Sequence, residues 1–540
     1  MMTSNWTPQH AVRQVHGDAR DFLIVPVMPT PNGRLHVGHI AGPFLKCDVL
    51  RRHLLQFGYD ARMISGSDDY ESHVTVKAAE TGETSASVAR RYHQAIGNDL
   101  ASLDIQFDDW ASPTDPDFQE IHDRYQSRIF QDFQRTGQLD QRREHVPFCQ
   151  ETNRFALGGW LSGGCPQCGE KAGGYFCESC GAHFRPEELI DPKIKRTTAG
   201  ETATEVPVES RFLRFRDPHR LIAEAERLGV TDSFREALAR YFEQNDAVRV
   251  TSPGRWGVSW PYGDGDAHQV IFSYGGLFPF ALAFGELYRA ARDHKANPFE
   301  RDSEVVTVTA YGFDNAVPFL AAVQGVGLEH PDYKGFDYHL TNHLMQLEGA
   351  KFSTSRRHGI WVAELLACTT LSSDSLRLYL ARNSPEDRQI DMDIGDLVAF
   401  NNNLSDLLNG VFRSLAEVAP TPGNGPSDAA AKRIEDVCSR FAAALHPAGF
   451  SLRTAASELE SWIGEVDEWM GDPVSAYWWS KTLALVGAPT MPRFSTQLWA
   501  LLGHSGTPNA EAFAGPTSPH VTSDPGIPRV AEQAIRAAAA

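Results

Sequence analysis

Asp21-Phe-Leu-Ile-Val-Pro-Val-Met28, followed by Pro29-Thr-Pro-Asn-Gly-Arg-Leu-His36-Val-Gly-His39, is the stretch from which the architecture is read. Residues 21–28 are too apolar for an exposed edge and predict a short strand buried on both faces. The Pro- and Gly-containing turn at 29–34 ends that strand. Leu35 to Phe57 then carries Ile40, Phe44, Leu50, Leu54 and Phe57 at broadly helical spacing. Ala61-Arg-Met-Ile-Ser65 predicts a second strand, which runs into Gly66-Ser-Asp-Asp69. Strand, turn, helix, strand is the βαβ unit of a doubly wound parallel sheet, whose ligands sit beyond the carboxyl ends of the strands.

Working outward, Val305 to Ala310 (VVTVTA) predicts the return of the same sheet far downstream. Between the two lies a segment of different texture, with short strands, many turns and a cysteine cluster. The expected organisation is therefore a Rossmann-like domain in two halves, 20–137 and 249–396, split by an insertion at 138–248. A helical bundle is expected at 397–502, because Leu404, Leu407, Leu408, Val411 and Leu415 form one apolar stripe. Residues 503–540 are expected to be a tail, and the Pro, Gly, Ser and Thr content of 503–528 predicts a surface path for that part.

At 540 residues with 42% hydrophobic and 22% charged residues, the composition is that of a globular protein of several domains. No apolar run approaches a membrane span, and the first twenty residues lack the apolar core of a signal peptide, so a cytoplasmic protein with no membrane partner is expected, and a monomer. The net charge of −19 requires any nucleic-acid partner to meet a local basic patch.

The chemistry concentrates in three places. His36 and His39 flank Gly38 where the strand gives way to the helix, and imidazoles there can donate hydrogen bonds to phosphate oxygens beside a positive helix end. Lys351, in Gly349-Ala-Lys-Phe-Ser-Thr-Ser355, supplies a cation on a polar loop. Cys165-Pro-Gln-Cys168 and Cys177-Glu-Ser-Cys180 are two CxxC pairs with a short spacer, the arrangement of a four-thiolate zinc knuckle with no open position, hence structural zinc.

The first two stretches resemble the HIGH and KMSKS motifs of the class I aminoacyl-tRNA synthetases, and the run from Cys180 to Lys193 resembles the methionyl-tRNA synthetase family within that class. The resemblance implies a Rossmann-like catalytic domain with a zinc-bearing insertion and an anticodon-binding-like α-helical bundle. It implies ATP with Mg and activation of an amino acid or related carboxylate as an acyl-adenylate. It places catalysis on His36, His39, Lys351 and Thr354. ATP contacts fall on Asn32, Gly38, Gly312, Asp314, Ser353 and Ser355, with Asp314 readable also as a helix cap. The amino acid would meet Met28, Thr30, Asp68 and Phe272, with Asp68 holding its α-amino group.

The departures gather at recognition positions. Met28 and Thr30 stand where the family has leucine and tyrosine, and the family's WxDAPIGY-like stretch is Phe272-Ser-Tyr-Gly-Gly-Leu277. Ser252 replaces the arginine of its ISRD-like segment, with Arg255 nearby, and Thr354 replaces the second lysine of KMSKS, with Arg356 and Arg357 following. The family's anticodon-reading Asn and Arg fall on Gly410 and Ser414, one place from Arg413. Residues 391–540 hold nine Lys/Arg against seventeen Asp/Glu, a net of −8. These features point toward a paralogue that passes its acyl group to an acceptor other than tRNA. Charging of tRNA with methionine, and a non-catalytic binding or regulatory protein, are the alternatives.

Overall fold

The computed structural model describes residues 8–17, 21–197, 201–261, 268–352, 358–417, 425–515, 517 and 526–539. Its centre is a five-stranded sheet of β1 (Asp21–Pro26), β2 (Asp60–Gly66), β3 (Asp109–Ala111), β4 (Val306–Gly312) and β5 (Tyr338–Asn342). The spatial order is β5-β4-β1-β2-β3 and every pairing is parallel. The first βαβ unit places β2 on one side of β1, and the later strand β4 docks on the other, Phe22 to Pro26 opposite Val306 to Ala310. The chain thus reverses its order between β1 and β4, the switch point at which such sheets open a crevice.

Alternation along β1 divides the molecule into two cores. Phe22 and Ile24 join one apolar cluster, and Leu23 and Val25 the other. Burying each of these side chains contributes roughly 1.5–3 kcal/mol. The first cluster continues without a break from the sheet into the C-terminal helices Ile394–Glu417, Asp428–Ala444, Leu452–Gly464, Pro473–Gly487 and Pro492–Leu501. Arg377 fastens this junction. It is fully buried, pairs with Asp48 at 2.6 Å, and donates to the carbonyls of Leu103, Pro489 and Thr490.

The doubly wound fold class, a parallel Rossmann-like sheet with a helical C-terminal region, is the one this chain adopts. Between β3 and β4 run two long antiparallel strands, Leu139–Cys149 and Ala203–Arg214, with a small three-stranded sheet and the cysteine cluster between them in sequence. The surface path expected over 503–528 is corrected: Ala510, Phe513 and Ile527 are buried, and farther along Val530 and Ile535 are too. Asn401, Asn402, Ser405 and Asn409 of the helix Ile394–Glu417 bond the backbone at 527–530, holding those apolar side chains in register. Composition averages over such isolated anchors.

Candidate active site at the carboxyl edge of the sheet

The loops leaving β1, β2 and β4 converge. The loop after β1 carries Met28, Thr30, Asn32 and His36, that after β2 carries Asp68, and β4 ends at Gly312 with Asp314 just beyond. The first loop is anchored at its far end. Buried Asp99 accepts from Arg34 Nε at 3.1 Å and from the Leu35 main-chain N–H at 3.0 Å. Val37 N–H donates to the Ile360 carbonyl at 2.9 Å, and His36 forms an isolated bridge with Trp361. The histidine motif is therefore clamped to the chain that follows the lysine loop.

The helix that begins at Val37 is kinked at Gly42, whose backbone is non-helical (φ −83°, ψ −109°), immediately before Pro43. Proline lacks the N–H that an α-turn needs, and the kink accommodates it. Gly42 is also a packing requirement, since a Cβ there would lie 2.6 Å from the Asn342 side chain at the end of β5.

His36 is buried between two rings, stacked on His39 at 3.6 Å and on Phe352 at 4.4 Å. Burial and the neighbouring His39 push its pKa far below the ordinary value, so it is neutral. His39 faces the cleft, and the crowding of protein around it lowers its pKa to about 4. Its Nδ1 accepts the His36 main-chain N–H at 3.3 Å. A neutral imidazole that accepts at Nδ1 carries its proton on Nε2. His39 thus presents a neutral N–H donor to the cleft. A Cβ on Gly38 would meet the Phe352 ring at 2.9 Å, so the close approach that requires glycine here is made by that ring.

Lys351 reaches across the cleft and pairs with Glu178, which lies between two cysteines of the cluster. Ser353, Thr354 and Ser355, with Arg356 and Arg357, lie outside the described residues. Phe352 and Glu178 are participants that sequence reading missed, although each neighbours a residue already singled out.

Asp68 is only partly exposed, and among the described residues no basic side chain lies within ion-pair distance of it. Its carboxyl accepts a hydrogen bond from Ser273, while burial and the nearby Glu71 and Asp69 carboxylates drive its pKa well above the usual range. Glu71 has a partner of its own, taking the main-chain N–H and the ring of His73, each at 2.6 Å. Phe272 and Tyr274 flank Ser273, their rings 5.0 Å apart. Ser252 is hydrogen-bonded to the Tyr175 hydroxyl at 3.1 Å, whereas Arg255 points outward and is exposed. At β4 the Asp314 carboxylate lies near Gly312, where a Cβ would come within 2.7 Å of Asp314 Oδ1. Burial raises the Asp314 pKa.

The sulfurs of Cys165, Cys168, Cys177 and Cys180 all lie within 4.8 Å of one another, with the Cys165–Cys180 and Cys168–Cys177 pairs at 3.7 Å. Thiolates about 2.3 Å from a tetrahedral zinc stand ~3.8 Å apart, so the donor set fits that ion. In the bundle, Gly410 lies on the helix Ile394–Glu417 and offers no side chain. The side chains of Arg413 and Ser414 lie outside the described residues.

The profile of the family described as tRNA synthetases class I (M) matches residues 22–415. The methionine–tRNA ligase of Chlorobaculum tepidum is 27% identical over 526 residues, 90% of this chain and 73% of that protein. That of Thermoplasma volcanium is 30% identical over 412 residues, 73% of each chain. The chain spans 55% of the length of the Christiangramia forsetii ligase, to which it is 28% identical over 390 residues. Mycobacterium tuberculosis methionyl-tRNA synthetase, solved in complex with methionyl-adenylate, has the same fold, with a TM-score of 0.69 at 16% identity over 94% of this chain and 100% of that one. No helix among the described residues is long and apolar enough to cross a membrane.

Proposed function

Because the chain belongs to the tRNA synthetases class I (M), we propose that it is an ATP-dependent ligase that activates an amino acid as its acyl-adenylate and passes it to an acceptor. The reading rests on one juxtaposition: the donor His39, the cation Lys351 and the carboxyl of Asp68, which has no basic side chain beside it among the described residues, all border a cleft at the sheet's switch point. A carboxylate oxygen of the substrate attacks the α-phosphorus of Mg-ATP, that oxygen–phosphorus bond forms, and the bond to pyrophosphate breaks. His39 Nε2–H donates to the phosphate oxygens as charge redistributes, and a neutral donor does so without losing a proton. Lys351 exchanges Glu178 for the departing pyrophosphate. Asp68 receives the α-ammonium group. Gly312 and Asp314 border the ribose, and the loop residues Ser353, Thr354 and Ser355 complete the triphosphate contacts. The four cysteines hold a structural zinc that stiffens the insertion beside Lys351.

The test is ATP–pyrophosphate exchange across the amino acids. His39→Ala is expected to lower the exchange rate by ~10²-fold, the usual loss for one transition-state donor, with an unchanged far-UV circular dichroism spectrum. An unaltered rate would remove His39 from the mechanism.

The acceptor in the relatives' names is tRNA. A different acceptor is favoured here by the net charge of −8 over residues 391–540 and by glycine at position 410, since phosphate contacts dominate tRNA affinity. Filter binding of methionine tRNA, with and without an altered anticodon, separates the two. Binding weaker than roughly 10⁻⁵ M and blind to the anticodon supports the different acceptor, and tight anticodon-dependent binding supports tRNA.

A further inference from the structure

A partly open cavity of 60 Å³ has Phe272 and Tyr274 among its walls, the two neighbours of the serine that bonds Asp68, and the Asp68 carboxylate acts electrostatically on Tyr274. Its lining is largely aromatic and aliphatic, with Tyr175, Val317 and Pro318 among the walls. The polar groups that reach it are almost all committed elsewhere. The Tyr175 hydroxyl bonds Ser252, and the Tyr241 hydroxyl donates to the Ala247 carbonyl at 2.7 Å. Arg249 is tied to Glu144 at 2.8 Å, both side chains being buried. His183 is held less fully, although its ring has a hydrogen bond with the Asp314 main chain. It lines the cavity with 8% of its surface exposed, and its Nε2 is buried with no hydrogen-bond partner among the described residues. A buried polar atom left unpaired costs stability, and such atoms in native structures call for a partner.

We infer that the cavity takes the side chain of the activated amino acid, that His183 Nε2 hydrogen-bonds a hydroxyl on it, and that the substrate is therefore a short aliphatic amino acid bearing a side-chain hydroxyl, of the size of homoserine or threonine. The inference rests on the activation proposed above. The volume has room for about four water-sized groups, which suits a side chain of two or three heavy atoms. A neutral imidazole has one N–H and one lone pair, and a hydroxyl can be partner to either. An ammonium would meet the guanidinium groups of Arg185 and Arg249 among the walls, the latter in its buried pair with Glu144. A carboxylate would have to break the same buried pair. A thioether is a weak acceptor and no donor, so methionine would leave Nε2 unsatisfied.

Isosteric pairs supply the test on the full chain. Homoserine against norvaline, and threonine against valine, differ by a hydroxyl for a methyl, and methionine is the fifth probe. Amino-acid-dependent pyrophosphate exchange and calorimetric binding are both measured, because binding reads the pocket when exchange does not. The hydroxylated member of at least one pair is expected to bind and exchange with a dissociation constant and KM roughly 10- to 100-fold lower than its isostere, as loss of a buried hydrogen-bond partner dictates. His183→Phe, which keeps the ring stacking on Phe176, is expected to erase that preference. Equal or better use of norvaline, valine or methionine overturns the inference and leaves activation standing. Selective binding of the hydroxylated member without exchange upholds the pocket and overturns activation, and neither binding nor exchange with any of the five overturns the pocket.

Discussion

Replacing Asp68 by asparagine is expected to act in opposite directions on ligand binding and on folding. In the free protein this carboxylate is crowded by Glu71 and Asp69 and has a hydrogen bond from Ser273 but no cation beside it among the described residues. Its folded-state pKa is raised above the unfolded value, so the folded protein binds the extra proton. The stability this group contributes is present at low pH and is lost as the pH rises from the ordinary carboxylate range through the raised pKa. Each pH unit within that window costs ~1.4 kcal/mol. Asparagine keeps the shape, still accepts from Ser273 and removes the charge, so at pH 8 the variant is expected to be more stable by about 1–3 kcal/mol. An ammonium ion arriving in the cleft reverses the balance, because it supplies the missing partner. Deleting one member of a buried charge pair costs ~2–5 kcal/mol, which corresponds to a rise of roughly 30- to 5,000-fold in the KM for the amino acid. The KM for ATP should move little, since Asp68 lies at the end of β2 and not at the phosphate-facing histidines. Thermal denaturation at pH 5 and pH 8, with pyrophosphate exchange at varied amino-acid concentration, measures both effects. A variant that is less stable at pH 8 and keeps its amino-acid KM would refute the reasoning, because it would make Asp68 a structural acceptor.

Two further changes test the rest of the argument. Cys177→Ser should abolish a stoichiometry of about one zinc per chain, seen by elemental analysis, and weaken the knuckle that carries Glu178; undiminished zinc would move the ion elsewhere. Arg377→Met should cost roughly 3–5 kcal/mol in urea unfolding, because Asp48 and three main-chain carbonyls lose their shared buried donor, and a loss under 1 kcal/mol would show that Arg52 alone suffices for Asp48.

The sequence alone determined the parts of this protein that are local. The run 21–28 is apolar at every position that must be buried on either face of a parallel sheet, and the Pro–Gly turn and helical spacing that follow permit one supersecondary unit. The paired CxxC spacing holds its four sulfurs together whatever the surroundings. Each is a short stretch whose chemistry is complete within itself. Tertiary structure decided what depends on partners distant in the chain. Phe352 became the ring stacked on His36, and Gly38 and Gly42 proved to be sites of close packing, because segments some 300 residues away arrive there. The tail, polar in composition, is held by five buried apolar anchors whose spacing follows no period, since it answers to the grooves of the helix Ile394–Glu417 and its neighbours. His183 acquires meaning from walls built by residues between 175 and 322. An unpaired buried nitrogen is a property of the walls around it, and no linear pattern encodes those walls.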